Sequence, residues 1–114
     1  MTEYPQVEGS CLCGAVRFAV SLPSRFCAHC PCPNCRRAHG AAFVTWAGFR
    51  EERVRLLAGE SLLIRYLTER GATRSFWRQC GSTLFYEGPR WAGEIHVVLA
   101  NLEGPIDREP SAHV

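Results

Sequence analysis

Lysine is absent from this chain of 114 residues, and all 13 basic side chains are arginine. They are scattered among 11 acids and leave a net charge of only +2. With no basic run or basic tail, a phosphate-tracking surface for nucleic acid is not expected. Codon usage in a GC-rich genome accounts for the arginines better than phosphate recognition does. No apolar run approaches the roughly 20 residues of a membrane span. The opening MTEYPQVEGS lacks a basic stretch followed by an apolar one, so no secretory signal is read there. Repeats, linkers and low-complexity segments are lacking as well. With 46% hydrophobic and 21% charged residues, disorder is not expected either. These absences predict one soluble domain over residues 1–114, in a cytoplasm that keeps thiols reduced.

Cysteine, by contrast, is plentiful. Six of the seven cysteines fall into two tight groups, Cys11-Leu12-Cys13 and the segment with Cys27, Cys30, Cys32 and Cys35; the seventh is Cys80. The odd count argues against a complete disulfide framework. Closely spaced thiolates in a reducing compartment hold a soft metal, most often zinc.

Most of the chain reads as short strands broken by turns. Residues 15–20 alternate, with Val16, Phe18 and Val20 on one face and Arg17 on the other. Residues 43–49 are aromatic and β-branched. Residues 54–57 and 62–67 flank Ala58-Gly59-Glu60-Ser61, which predicts a hairpin. Residues 73–78 and 82–86 flank a compact turn at Cys80-Gly81, and residues 94–100 form another strand. Helix is expected only over residues 34–39, because Pro31 and Pro33 keep the preceding segment extended. The sum is a mainly β fold of antiparallel sheets with short helical turns. Its edge strands need cover, which a homodimer would supply.

Cys30-Pro31-Cys32-Pro33-Asn34-Cys35 offers three thiolates from one loop stiffened by two prolines. Three protein ligands leave the fourth position of a tetrahedral zinc open, as in reactive sites. The alternative is a structural site completed from elsewhere, with Cys27 or His29 nearest. Cys27 also fits a buried apolar filler at a strand end. His29 and His39 flank the group within reach of a proton-shuttling role, although histidines at such positions are more often structural. His96 and His113 carry no such expectation. A second site would join Cys11 and Cys13 to Cys80, but Trp77 stands three residues before Cys80 where a fourth thiolate would complete a Cys-x-x-Cys.

The segments Gly9-Ser10-Cys11-Leu12-Cys13-Gly14-Ala15-Val16-Arg17-Phe18, Cys30-Pro31-Cys32-Pro33-Asn34-Cys35-Arg36-Arg37, Gly40-Ala41-Ala42-Phe43 and Cys80-Gly81-Ser82-Thr83-Leu84-Phe85 resemble the glutathione-dependent formaldehyde-activating enzyme family, which includes the centromere protein V-like proteins. The resemblance covers nearly the whole chain. It implies the Mss4-like fold of coiled antiparallel sheets and a catalytic-type zinc on Cys30, Cys32 and Cys35. It also implies a structural zinc on Cys11, Cys13, Cys80 and a fourth cysteine. With Trp77 in that fourth place, this second site is expected to be weakened or lost. The implied reaction is carbon–sulfur lyase chemistry: the addition of glutathione to formaldehyde, giving S-hydroxymethylglutathione, and its reverse. Arg36 or Arg37, just past Cys35, would pair with a carboxylate of glutathione, unless both only face solvent. The implied chain is longer and would continue beyond His113-Val114. The competing reading is a non-catalytic, zinc-stabilised binding module.

Overall fold

The structure, a computed structural model, describes residues 4–111. Strands β1 (Gln6–Ser10), β2 (Arg17–Ser21) and β5 (Val54–Ala58) form one antiparallel sheet in the order β1-β2-β5. Strands β3 (Phe26–Cys30), β4 (Val44–Arg50), β6 (Ile64–Leu67), β7 (Thr73–Phe76), β8 (Thr83–Glu87) and β9 (Glu94–Val98) form a second. Its order is β3-β4-β9-β8-β7-β6, again antiparallel throughout. Helix α1 (Pro33–His39) lies between β3 and β4 in sequence. This is a mainly β architecture consistent with the Mss4-like fold. Among the described residues no helix is long and apolar enough to cross a membrane.

The alternation read in residues 15–20 sets the core. Val16, Phe18 and Val20 are fully buried, while Arg17 turns outward to Glu8 and Glu103, each at 3.2 Å. Phe18 meets Phe85 of β8 edge-on, with ring centroids 5.0 Å apart, and so joins the two sheets. Gly9 lies opposite Phe18 in the β1–β2 register, where any Cβ would run into the Phe18 ring.

The hairpin expected around residues 58–61 does not form. Strand β5 pairs with β2 in the small sheet, whereas β6 pairs with β7 in the larger one. A 3-10 turn at Glu60–Leu62 carries the chain between the sheets. Leu63 turns into the core there, which removes a residue that a hairpin strand would have used. The compact turn expected at Cys80-Gly81 does form, and the strands it joins, β7 and β8, pair antiparallel. Strands β1 and β3 are additional to the segments read from sequence, and His113 lies outside the described residues.

Candidate metal centres and the adjoining cleft

Cys30 ends β3, and Cys32 occupies the N-cap of α1 with an extended backbone (φ −63°, ψ 149°). Pro33 follows at the first helical turn, where its fixed φ suits the helix and its missing N–H costs nothing. Cys35 is the one buried residue of the helix. Gly40 closes it in a left-handed conformation, φ 62°, with its N–H on the Arg36 carbonyl. This strand–cap–helix path brings the Sγ atoms of Cys30, Cys32 and Cys35 within 4.8 Å of one another. Sulfurs about 2.3 Å from a tetrahedral zinc lie about 3.8 Å apart, so a small contraction seats the ion. The donor set fits zinc.

The acidities of Cys30 and Cys32 diverge. Burial pushes the Cys30 thiol up to about 12, against the opposing N–H of Cys32. Burial would also raise Cys32, but the backbone N–H of Cys35 and further hydrogen bonds from Cys35, Cys30 and Asn34 bring it below the ordinary thiol range. Three neighbouring thiolates therefore form together only with a cation among them. A guanidinium lies alongside: Arg74 Nη2 of β7 is 3.6 Å from Cys35 Sγ, and the same group stacks over the Tyr86 ring at 5.0 Å. Arg74 Nη1 is buried with no partner among the described residues.

Neither proposed fourth ligand joins this group. Cys27 is 1% exposed as the second residue of β3, where burial raises its thiol, and it behaves as a core filler. His29 Nδ1 is 2.8 Å from Thr45 Oγ1, and its ring meets Phe43 edge-on. His39 packs edge-on against Trp46, and burial, reinforced by the Arg74 charge, lowers it to about 4. It is a neutral imidazole near pH 7 and a poor proton shuttle there. An unfolded histidine titrates near 6.5, so the unfolded chain takes up a proton that the folded chain refuses until about pH 4. The stabilisation is complete above about pH 6.5 and is lost as pH falls toward 4. His96, also lowered by burial against the opposing Glu94, acts with the same sign. Urea midpoints of chelator-treated protein are expected to fall between pH 7 and pH 5, and to fall less in His39→Leu.

The second cysteine group assembles despite Trp77. Cys11, Cys13 and Cys80 place their sulfurs within 4.8 Å of one another, and Cys11 and Cys13 stand 3.7 Å apart, close to a tetrahedral edge. Val16 N–H donates to Cys11 Sγ at 3.3 Å, and Ser82 Oγ lies 3.4 Å from Cys80 Sγ. Burial opposes ionisation of Cys80, but the Ser82 hydroxyl and the N–H groups of Ser82 and Cys13 bring it down to about 6. Trp77 sits on the turn, with Gly81 N–H on its carbonyl at 2.7 Å and its own N–H on Ser82 O at 3.1 Å. Its indole packs against the core. Two cysteine triads are therefore shaped to hold a metal ion.

A cleft of about 700 Å³ opens beside α1 and the β6–β7 hairpin. Arg37, Arg70, Arg74, Tyr66 and Tyr86 line it, and Glu69 is its one acid among the described residues. Arg36 does not line it and faces, with Arg37, a shallower depression around Gly40. Arg74 and Arg70 are the residues that sequence reasoning missed. Arg74 is 39 positions from the cysteine it contacts, and only the strand order of the larger sheet brings it there.

The family model for glutathione-dependent formaldehyde-activating enzymes matches residues 6–114. The chain belongs to this family. A Halomonas elongata protein whose name carries that same description is 30% identical over 110 residues, covering 91% of this chain and 70% of the relative. The crystal structure of a Rhodobacter sphaeroides protein is similar at a TM-score of 0.77 and 30% identity, covering 94% of this chain and 99% of that one.

Proposed function

We propose that this family member is a zinc-dependent enzyme of carbon–sulfur lyase type that joins the thiol of glutathione to formaldehyde and reverses that addition. The observation that carries this reading is the gathering of Cys30, Cys32 and Cys35, with no fourth protein donor among the described residues, beside a cleft lined by arginines. Zinc on three thiolates supplies a soft Lewis acid that keeps an incoming thiol ionised near neutral pH, and it acidifies water poorly compared with a three-histidine site. Cys30, Cys32 and Cys35 would hold the ion. Arg74 offsets the negative charge of the Cys35 sulfur. The Tyr86 ring lies under the Arg74 guanidinium, 5.0 Å from its centroid to Cζ. Neutral His39, at the end of the helix, packs edge-on against Trp46.

The test is carbon-13 NMR of labelled formaldehyde with glutathione. Exchange into S-hydroxymethylglutathione is expected to speed up with wild-type protein and to return to the buffer rate with Cys32→Ser. An unchanged rate with zinc-loaded wild type would overturn the reading.

The Cys11, Cys13 and Cys80 triad is the weaker, structural zinc site in this proposal, because one thiolate is missing. Trp77→Cys would complete a Cys-x-x-Cys turn whose backbone bonds are already in place. Chelator competition is expected to remove this zinc first from the wild type, and to require at least about tenfold more chelator in Trp77→Cys.

A further inference from the structure

We propose that the Cys11, Cys13 and Cys80 triad is an oxidative modification site, at which a hydroperoxide links Cys13 to Cys80 in a disulfide and so releases the zinc held there. The disulfide rests on the geometry of the three thiols alone. The zinc release rests on the structural zinc of the proposed function. Two turns far apart in sequence carry these thiols, and backbone hydrogen bonds fix both. Cys11 N–H on Val16 O and Gly14 N–H on Cys11 O, each at 3.1 Å, hold the first. Gly81 N–H on Trp77 O and Trp77 N–H on Ser82 O hold the second. Leu12 N–H donates to Ser82 Oγ, 70 positions away, at 2.8 Å and ties the two turns together. The protein itself therefore keeps the three sulfurs within 4.8 Å of one another. Closing an S–S bond of about 2.05 Å from there takes side-chain rotation and a small backbone shift.

Trp77 makes this triad vulnerable. Four thiolates would enclose a zinc ion on every side, but the indole packs into the core and no fourth thiolate joins the group among the described residues. One side of the ion is left to solvent, and so to a small oxidant. Exposure then selects the pair that reacts. Cys11 is 2% exposed, and its sulfur accepts the Val16 N–H at 3.3 Å. Cys13 is exposed and Cys80 half-buried. Beside Cys80, no atom outside the chain neighbours of Gly81 lies within 4 Å of where a Gly81 Cβ would stand, so the turn is open there. The other triad is better guarded, with Cys35 buried and Arg74 Nη2 on its sulfur. In the reaction the Cys80 thiolate takes one oxygen from the hydroperoxide and becomes a sulfenic acid, while the O–O bond breaks and the second oxygen leaves, protonated, as water or an alcohol. The Cys13 thiol then attacks that sulfur and expels water, which leaves the disulfide. The two sulfurs are oxidised, the hydroperoxide is reduced, and the zinc, stripped of two donors, departs as the aqueous ion.

The test treats zinc-loaded protein with equimolar hydrogen peroxide. Zinc release is followed with a chromogenic chelator against an untreated control, and disulfides are mapped by non-reducing peptide mass spectrometry after alkylation of the remaining thiols. About one zinc per chain is expected to leave. A Cys13–Cys80 cross-linked peptide is expected to appear while Cys30, Cys32 and Cys35 are recovered alkylated, and dithiothreitol with added zinc is expected to reverse both changes. Trp77→Cys is expected to release this zinc at least about tenfold more slowly. A first disulfide among Cys30, Cys32 and Cys35, a Cys11–Cys13 link, or no disulfide at all overturns the inference, as does equal release from wild type and Trp77→Cys. If elemental analysis finds no zinc on this triad before oxidation, the structural-zinc reading falls and the cross-link alone decides: its formation upholds the modification site and its absence overturns it.

Discussion

Cys32→Ser is expected to empty the Cys30–Cys32–Cys35 centre and to abolish any thiol-dependent activity while leaving the fold in place. Cys32 has two roles. Its sulfur is one of three donors, and it caps α1 by accepting from Cys35 N–H at 3.4 Å. A serine oxygen keeps the capping ability, since serine is a favoured N-cap. It does not replace a thiolate toward a soft ion. Outer-shell changes at metal sites already cost roughly 10–100-fold in affinity, and loss of a direct ligand should exceed that. Zinc per chain measured by elemental analysis should fall by about one, with an unchanged far-ultraviolet circular dichroism spectrum. Full retention of zinc would show that this cysteine is not a ligand.

Phe18→Ala is expected to produce the largest loss of stability. Phe18 is fully buried, lies on β2 and touches Phe85 of the other sheet, so its removal opens a cavity where the two sheets meet. Burying a phenylalanine and then deleting it to alanine costs about 3–5 kcal/mol. That is a large part of the roughly 5–15 kcal/mol that stabilises an ordinary domain. For a chain of this length the melting temperature should drop by roughly 15–30 °C. Phe18→Leu, which keeps most of the volume, should lose much less. A drop below about 5 °C for the alanine variant would mean that the sheets are held together elsewhere, and thermal melts followed by circular dichroism decide it.

Local chemistry made much of this legible in the sequence. The alternation of Val16, Phe18 and Val20 gives the core face directly, because side chains in a strand alternate with a period of two. Prolines 31 and 33 hold the segment before the helix extended, and the structure keeps Cys32 extended while starting the helix at Pro33, one residue earlier than expected. The turn at Cys80-Gly81 is equally local. What stayed hidden depends on pairing between distant segments. Residues 54–57 and 62–67 look like hairpin partners, yet they belong to different sheets, because short strands do not encode their neighbours. Arg74 and Arg70 reach the cysteine triad and its cleft only through the order of strands in the larger sheet. Arg36 and Arg37 look equivalent in sequence, and the helical rotation between adjacent residues sends only Arg37 to the cleft. Trp77 reads as the weakening or loss of a site, and the structure gathers Cys11, Cys13 and Cys80 around its turn without a fourth thiolate.

The most direct measurement is zinc-edge X-ray absorption on the Cys80→Ser protein, which isolates the Cys30–Cys32–Cys35 centre, with and without glutathione. Three sulfurs per zinc at about 2.3 Å are expected without glutathione, rising to four when it is added. Four sulfurs before addition, or three that stay three, would contradict an open position that takes the substrate thiol.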